Sequence, residues 1–393
     1  MVEFHLAKRM EAFGPSIFSE LKAYKLQKQA EGQKIIDLSL GSPDLPPAPF
    51  VREKLAALAS EPDQYGYTLS GTQPFYEAVA NYYRRTYGVE LDASTEIVHA
   101  MGSQEGLVHL PLVFADPGDI ILVTDPGYPA YEAGLAVAGA KPYYMPLVKE
   151  NHFLPDLQAI PTDIANKARM LILNYPGNPV PGLATEQFFS EVIEFAKKHQ
   201  IVVLHDAAYS EFYFDNQQPL SFLAVPGAKD VGMEINSLSK SFSLAGARIA
   251  YIAGNKEMIQ KVAQLKSNLD YGVFAPIQAA GIAALDHAEE IGQLVRTTYE
   301  RRRDVLIEAL ENIGWTVDKP AGGMFIWAKI PDGWTSKEFC FTCIDKAGVV
   351  MVPGPAFGKN GEGYVRIALV HSEEILQEAA EKLRSVIEIS KLL

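Results

Sequence analysis

The chain has 393 residues, more than one compact core usually holds, so two domains are expected. With 48% hydrophobic and 21% charged residues, its composition excludes a disordered chain. A formal charge of −13 argues against a nucleic-acid or anionic-membrane partner, either of which needs a basic face. A small anionic ligand stays open, because a few local arginines can hold one.

The first thirty residues contain no continuous apolar core and no small-residue cleavage site, so they do not read as a secretory signal. No stretch reaches the roughly 18 apolar residues of a membrane span. A cytoplasmic location is expected. The Pro-rich SPDLPPAP at 42–49 separates an N-terminal segment, 1–45, from a large domain over 46–285. There PFYEAVANYYRRTYG and TEQFFSEVIEFAKKHQ repeat apolar residues at helical steps. Between and after them EIVHAM, DIILVTD, ARMLILNY, IVVLHDAA, VGMEINSL and ARIAYIAG read as buried strands. This alternation predicts an α/β fold, a mostly parallel sheet with helices on both faces.

From Ala275 the pattern changes. A long helix, bent or broken once, leads to three short strands (GMFIWAKI, GVVMVPG, GYVRIALV) and a final helix over 372–393. The 286–393 region, with the N-terminal segment, predicts a smaller α+β domain. Cys340 and Cys343 form a C-x-x-C on helical spacing with no second Cys or His pair. They read as a buried helix face, and no metal is expected.

In open parallel sheets, ligands collect beyond the carboxyl ends of the strands. After EIVHAM comes Gly102-Ser103-Gln104-Glu105-Gly106, small residues that leave helix N–H groups free for a phosphate. DIILVT is followed by DPGYPAY with Tyr128, and ARMLIL by a Pro-stiffened loop with Asn174 and Asn178. IVVLH is followed by Asp206 and Tyr209, and the next strand by Ser237, Ser239, Lys240 and then Arg248. A buried acid needs a cationic partner, so Asp206 alone could equally be a cap or a scaffold ion pair. Together these residues suit pyridoxal 5′-phosphate. The lysine forms the Schiff base, Arg and N–H donors hold the phosphate, and the acid keeps the pyridine nitrogen protonated.

The strings LSLGSPDLPP, MGSQEG, DPGYPAY, NYPGNP, HDAAY, SLSKSFSLAGAR and PGPAFGKNGEGYVRIAL resemble the class I/II aminotransferases, fold-type I pyridoxal-phosphate enzymes, over nearly the whole chain. The resemblance implies that Lys240 bonds to the cofactor, with Lys240, Asp206 and Tyr209 as the catalytic set. It implies that Gly102, Ser103, Gln104, Ser237 and Arg248 hold the phosphate, and that Tyr128 stacks on the ring. Asn178 and Tyr209 would meet the ring's phenolic oxygen. Gly41, Asn178 and Arg366 would bind substrate, Arg366 through the α-carboxylate, a task that suits a planar guanidinium.

Two departures stand out. NPVPG at 178–182 alters the turn beyond Asn178. In QYGYTLSG, Tyr67 and Tyr65 fall on either side of the usual spacing for a tyrosine that reaches the neighbouring subunit's phosphate. Tyr67 is the candidate, and it implies a homodimer with shared sites. The activity implied is ping-pong transamination between an L-amino acid and a 2-oxo acid, with 2-oxoglutarate and glutamate as one pair. Lys240 must be neutral to act as base, which burial and nearby positive charge favour.

The branch resembled includes LL-diaminopimelate and broad-specificity aminotransferases, leaving diaminopimelate, aspartate, alanine and aromatic donors open. Lys266 lies near where relatives place a cation for a distal carboxylate; a solvated helix-end lysine is the plainer reading. A carbon–sulfur β-lyase on the same scaffold and a non-catalytic cofactor sensor are the alternatives.

Overall fold

The apolar runs in the middle of the chain build one seven-stranded sheet. In chain order its strands are β1 (Ile97–Ala100), β2 (Ile120–Asp125), β3 (Lys141–Pro146), β4 (Ala168–Asn174), β5 (Val202–Asp206), β6 (Gly232–Ser237) and β7 (Ala250–Gly254). Across the sheet the order is β1-β7-β6-β5-β4-β2-β3. This is a computed structural model, and it describes residues 5–391. Met1–Phe4, and Leu392 and Leu393 of the expected final helix, lie outside them.

Pairing is parallel between β2 and β3, β2 and β4, β4 and β5, and β5 and β6. Only β7 runs the other way, antiparallel to both β1 and β6. Met170, Leu171, Ile172 and Leu173 of β4 are all fully buried, as a strand covered on both faces requires. The fold is thus the expected α/β arrangement. One strand of this sheet was not legible: KPYYMP, which forms β3. Its two prolines and exposed residues hide it, and both are tolerated because β3 is an edge strand.

The two expected helices cover Gln73–Tyr87, closed by Gly88 at φ 67°, and Glu186–His199, capped by the Thr185 hydroxyl. The long helix after Ala275 breaks at His287 into Ala275–Asp286 and Ala288–Asn312. GVVMVPG divides at Met351. Val349–Val350 pairs in parallel with Ile36–Asp37, while Val352–Pro353 joins an antiparallel sheet with Tyr364–Ala368 and Phe325–Lys329. Arg366 lies on the central strand of that sheet. Cys340 and Cys343 are fully buried on the helix Ser336–Ala347, and burial pushes both thiols up, away from reactivity. No helix among the described residues is long and apolar enough to cross a membrane.

Candidate active site

The reversed strand sets up the site. Because β7 runs against its neighbours, its first residue lies at the edge where β1 and β6 end. Ala250 pairs with both Ala100 and Ser237. Gly102, Ser237 and Arg248, far apart in sequence, therefore meet at one junction. Gly102 has φ 80°, and a Cβ there would meet the guanidinium of Arg248. That positive φ favours glycine, and the missing Cβ leaves the guanidinium its place. The helix Ser103–Phe114 starts on this glycine without a side-chain cap, so its first N–H groups remain free for an anion. Arg248 is held by the Ala245 carbonyl at 2.9 Å, and the Ser237 hydroxyl accepts the Ser239 N–H at 3.1 Å.

Beside the junction is a cleft of about 540 Å³. Gly41, Ser103, Gln104, Tyr128 and Asn178 line it, together with Asp206, Tyr209, Lys240 and Arg366. Lys240 sits on the short helix Leu238–Ser241 directly after β6, and its Nζ donates to the Gly41 carbonyl. Burial, then the nearby Arg366 and Arg248 guanidinium groups, pull its pKa down to about 8. Asp206 ends β5, paired in register with Asn174 at the end of β4. It accepts the Tyr131 hydroxyl at 3.0 Å and the Ala208 N–H at 3.2 Å, with no ion pair among the described residues. Burial raises its pKa, and the Tyr131 and Ala208 hydrogen bonds oppose this. It is neither a helix cap nor a scaffold ion pair.

Arg366 is the other buried charged side chain lining the cleft. Its Nη1 donates to Oδ1 of Asn178 at 2.7 Å and its Nη2 to the Ser39 carbonyl at 2.8 Å. Its Nε, although buried, has no partner among the described residues. The guanidinium packs 4.1 Å from the Phe325 ring centroid and 4.8 Å from that of Phe357. Burial pulls it down to about 10, so it stays charged near neutrality. Burial also pushes the Tyr128 and Tyr209 phenols up, so both keep their protons.

The site fits pyridoxal phosphate on its own features. It offers an uncapped helix start beside an arginine, a ring-sized cleft next to a tyrosine, an amine of low pKa, and a buried acid without a counter-charge. Lys240 gives a pH test. Below about pH 8 its free-amine fraction falls about tenfold per pH unit, and above that it levels off. Capture of pyridoxal phosphate by the apoprotein, followed by absorbance, should show the same rise and plateau. A rate flat from about pH 6 to 9 would contradict the shift. The stability sign follows: between about 8 and 10.5 the folded state binds fewer protons than the unfolded chain, so this residue's cost fades as pH rises through that window.

Three other residues singled out in the sequence lie outside the lining of this cleft. Tyr67 is 85% exposed, set edge-on to Tyr271 at 5.4 Å, and does not line its own chain's cleft. Tyr65 is also exposed, with its hydroxyl on the Ala59 carbonyl at 2.8 Å. Lys266 is neither a solvated helix-end lysine nor a cleft cation. It is 4% exposed and paired with Glu105 and with Asp270, the latter at 2.9 Å. Glu105, His109 and Asp270 gather within 4.8 Å, and the ammonium of Lys266 takes the place of a cation between the two acids.

Sequence reasoning missed Tyr131, whose only signal was a second tyrosine in DPGYPAY. It also gave no role to Asn174, which accepts the Asn178 N–H at 2.8 Å and donates to the Asp206 carbonyl at 2.7 Å.

Strand-end geometry, the glycine turn and the half-buried lysine define a phosphate-cofactor site on a mostly parallel sheet. The family model for aminotransferase class I and II matches residues 33–383, and the chain belongs to that family. It is a pyridoxal-phosphate-dependent aminotransferase. It is 44% identical to an LL-diaminopimelate aminotransferase of Moorella thermoacetica over 97% of this chain and 98% of that one. A substrate-bound structure of BacF from Bacillus subtilis superposes with TM-score 0.93 at 37% identity, covering 98% of both chains. A probable N-succinyldiaminopimelate aminotransferase of Thermus thermophilus gives 0.89 at 36% identity, over 94% of this chain and 100% of that one. Neither the lyase nor the sensor alternative finds support among these relatives.

Proposed function

We propose that this enzyme moves the amino group of an L-amino acid to a 2-oxo acid, with 2-oxoglutarate and glutamate as one exchanged pair. The observation that carries the reading is Arg366, a buried guanidinium with an unpaired Nε, in one cleft with the low-pKa amine of Lys240. Arg366 takes the substrate α-carboxylate, Asn178 and the Ser39 carbonyl fix its plane, and Gly41 borders the bound substrate. Lys240 removes the Cα proton and returns it later. Bound pyridoxal phosphate supplies the electron sink for the pair left behind. Asp206 holds a proton at the pyridine nitrogen, Tyr209 and Asn178 face the phenolic oxygen, and Tyr128 covers the ring. Gly102, Ser103 and Gln104, with Ser237 and Arg248, hold the phosphate.

We also propose a homodimer that shares its sites through Tyr67. Tyr67, Leu69, Leu269 and Tyr271 are all more than half exposed, an apolar surface that a second copy would cover. Tyr65 is the weaker candidate because its hydroxyl is engaged within its own chain. The division into 1–45 with 286–393 as the small domain, and 46–285 as the large one, is supported by the pairing of Ile36 with Val349.

LL-diaminopimelate is the leading donor on this reading, through the similarity to enzymes named for it. The test is the visible band of the holoenzyme titrated with single amino acids and no oxo acid. LL-diaminopimelate and glutamate should each bleach it stoichiometrically. A band that survives both overturns this substrate assignment.

A further inference from the structure

The phosphate turn carries an anomaly. Glu105 sits in the first turn of the helix whose N-terminus is offered to a phosphate. A free carboxylate there would compete for the same N–H groups and repel the dianion. The structure deals with both problems. One oxygen of Glu105 accepts the Met101 N–H, outside the cradle, and the other is paired with Lys266 Nζ and lies 3.1 Å from His109 Nδ1. Burial would raise this carboxyl, but His109, Lys266 and the Met101 N–H hold it below its ordinary range. Lys266 also pairs with Asp270 at 2.9 Å.

Beyond Asp270 the chain is pinned backbone to backbone. The Gly272 N–H donates to the Thr68 carbonyl, and a Cβ on Gly272 would lie 2.5 Å from the carbonyls of both Ser70 and Thr68. The lysine that neutralises Glu105 is therefore anchored at a fixed place, not free on a surface helix.

We propose that Glu105, Lys266 and Asp270 act as a positioning clamp that sets the 101–104 turn for a phosphate and cancels the charge of Glu105 beside it. None of the three touches the cofactor in this role. The inference rests on the reading that this turn takes the phosphate, and the test separates the two. The affinity of the apoprotein for pyridoxal phosphate is divided by its affinity for pyridoxal, which lacks the phosphate.

Wild type should prefer the phosphorylated form strongly; no preference would mean that the phosphate reading itself is wrong. Glu105→Gln, which keeps the shape, should lower the ratio about tenfold or more, because charge-assisted hydrogen bonds are lost. Glu105→Gln/Lys266→Met/Asp270→Asn leaves no unpaired charge among the three, guards against a folding failure, and should lower the ratio likewise. The 31P resonance of the bound phosphate should move in both variants. A purely structural role would reduce apoprotein stability while leaving ratio and resonance at wild-type values, and that outcome overturns the clamp.

Discussion

Lys240→Ala is expected to cut turnover by about 10⁴-fold or more while leaving cofactor binding measurable. The residue supplies the proton-transferring amine, and general base catalysis alone contributes roughly 10²–10⁴-fold. Loss of the covalent anchor adds to this. Its surroundings support that role. Burial and two guanidinium groups bring the amine to about 8, where the free base and its conjugate acid are both populated near neutrality. The substitution removes only the hydrogen bond to the Gly41 carbonyl and leaves Arg248, Gly102 and Tyr128 unchanged. The fold should therefore survive, and small primary amines added to the assay should restore part of the rate. Near-normal turnover without such amines would remove Lys240 from the mechanism.

Asp206→Asn should lower kcat/KM by about 10²–10³-fold, the usual size of losing one preorganised electrostatic contact. Asparagine keeps the shape, its Oδ1 accepting the Ala208 N–H and its amide donating to the Tyr131 hydroxyl oxygen, so the change chiefly removes charge. The carboxylate is buried and its pKa raised by that burial, which means that its ionisation costs stability in the apoprotein. The sign is definite: an acid with a raised folded pKa loses stability as pH climbs from its unfolded value through the folded one. At neutral pH the neutral amide removes that cost. Apoprotein Tm should hold or rise while activity and cofactor affinity fall. Unchanged kinetics would dismiss Asp206 from the site, and a fall in apoprotein Tm would argue for a scaffold role.

Much of the site was legible because it is built at strand ends. A buried strand reads as an apolar run, and the polar residues in the turn after it lie at the carboxyl edge of the sheet. Asp206, Tyr128, Asn178 and Lys240 were all found in this way, and all four line the cleft. The family motifs added Arg366, which an antiparallel strand of ordinary sequence would not have singled out. Tyr131 was missed because a phenol within DPGYPAY looks like packing until its bond to Asp206 is visible.

Local pattern and residue type thus determined the elements, the sheet class and the chemistry at the strand ends, since those depend on neighbours a few residues away. The tertiary structure alone decided what depends on distant neighbours. The reversal of β7 brings Arg248 to Gly102, and no periodicity encodes strand direction. Lys266 has helix-end spacing typical of a solvated side chain, yet it is buried against Glu105, 161 residues away. Burying a charge is tolerable only beside its counter-charge, and the fold determines which counter-charge is near.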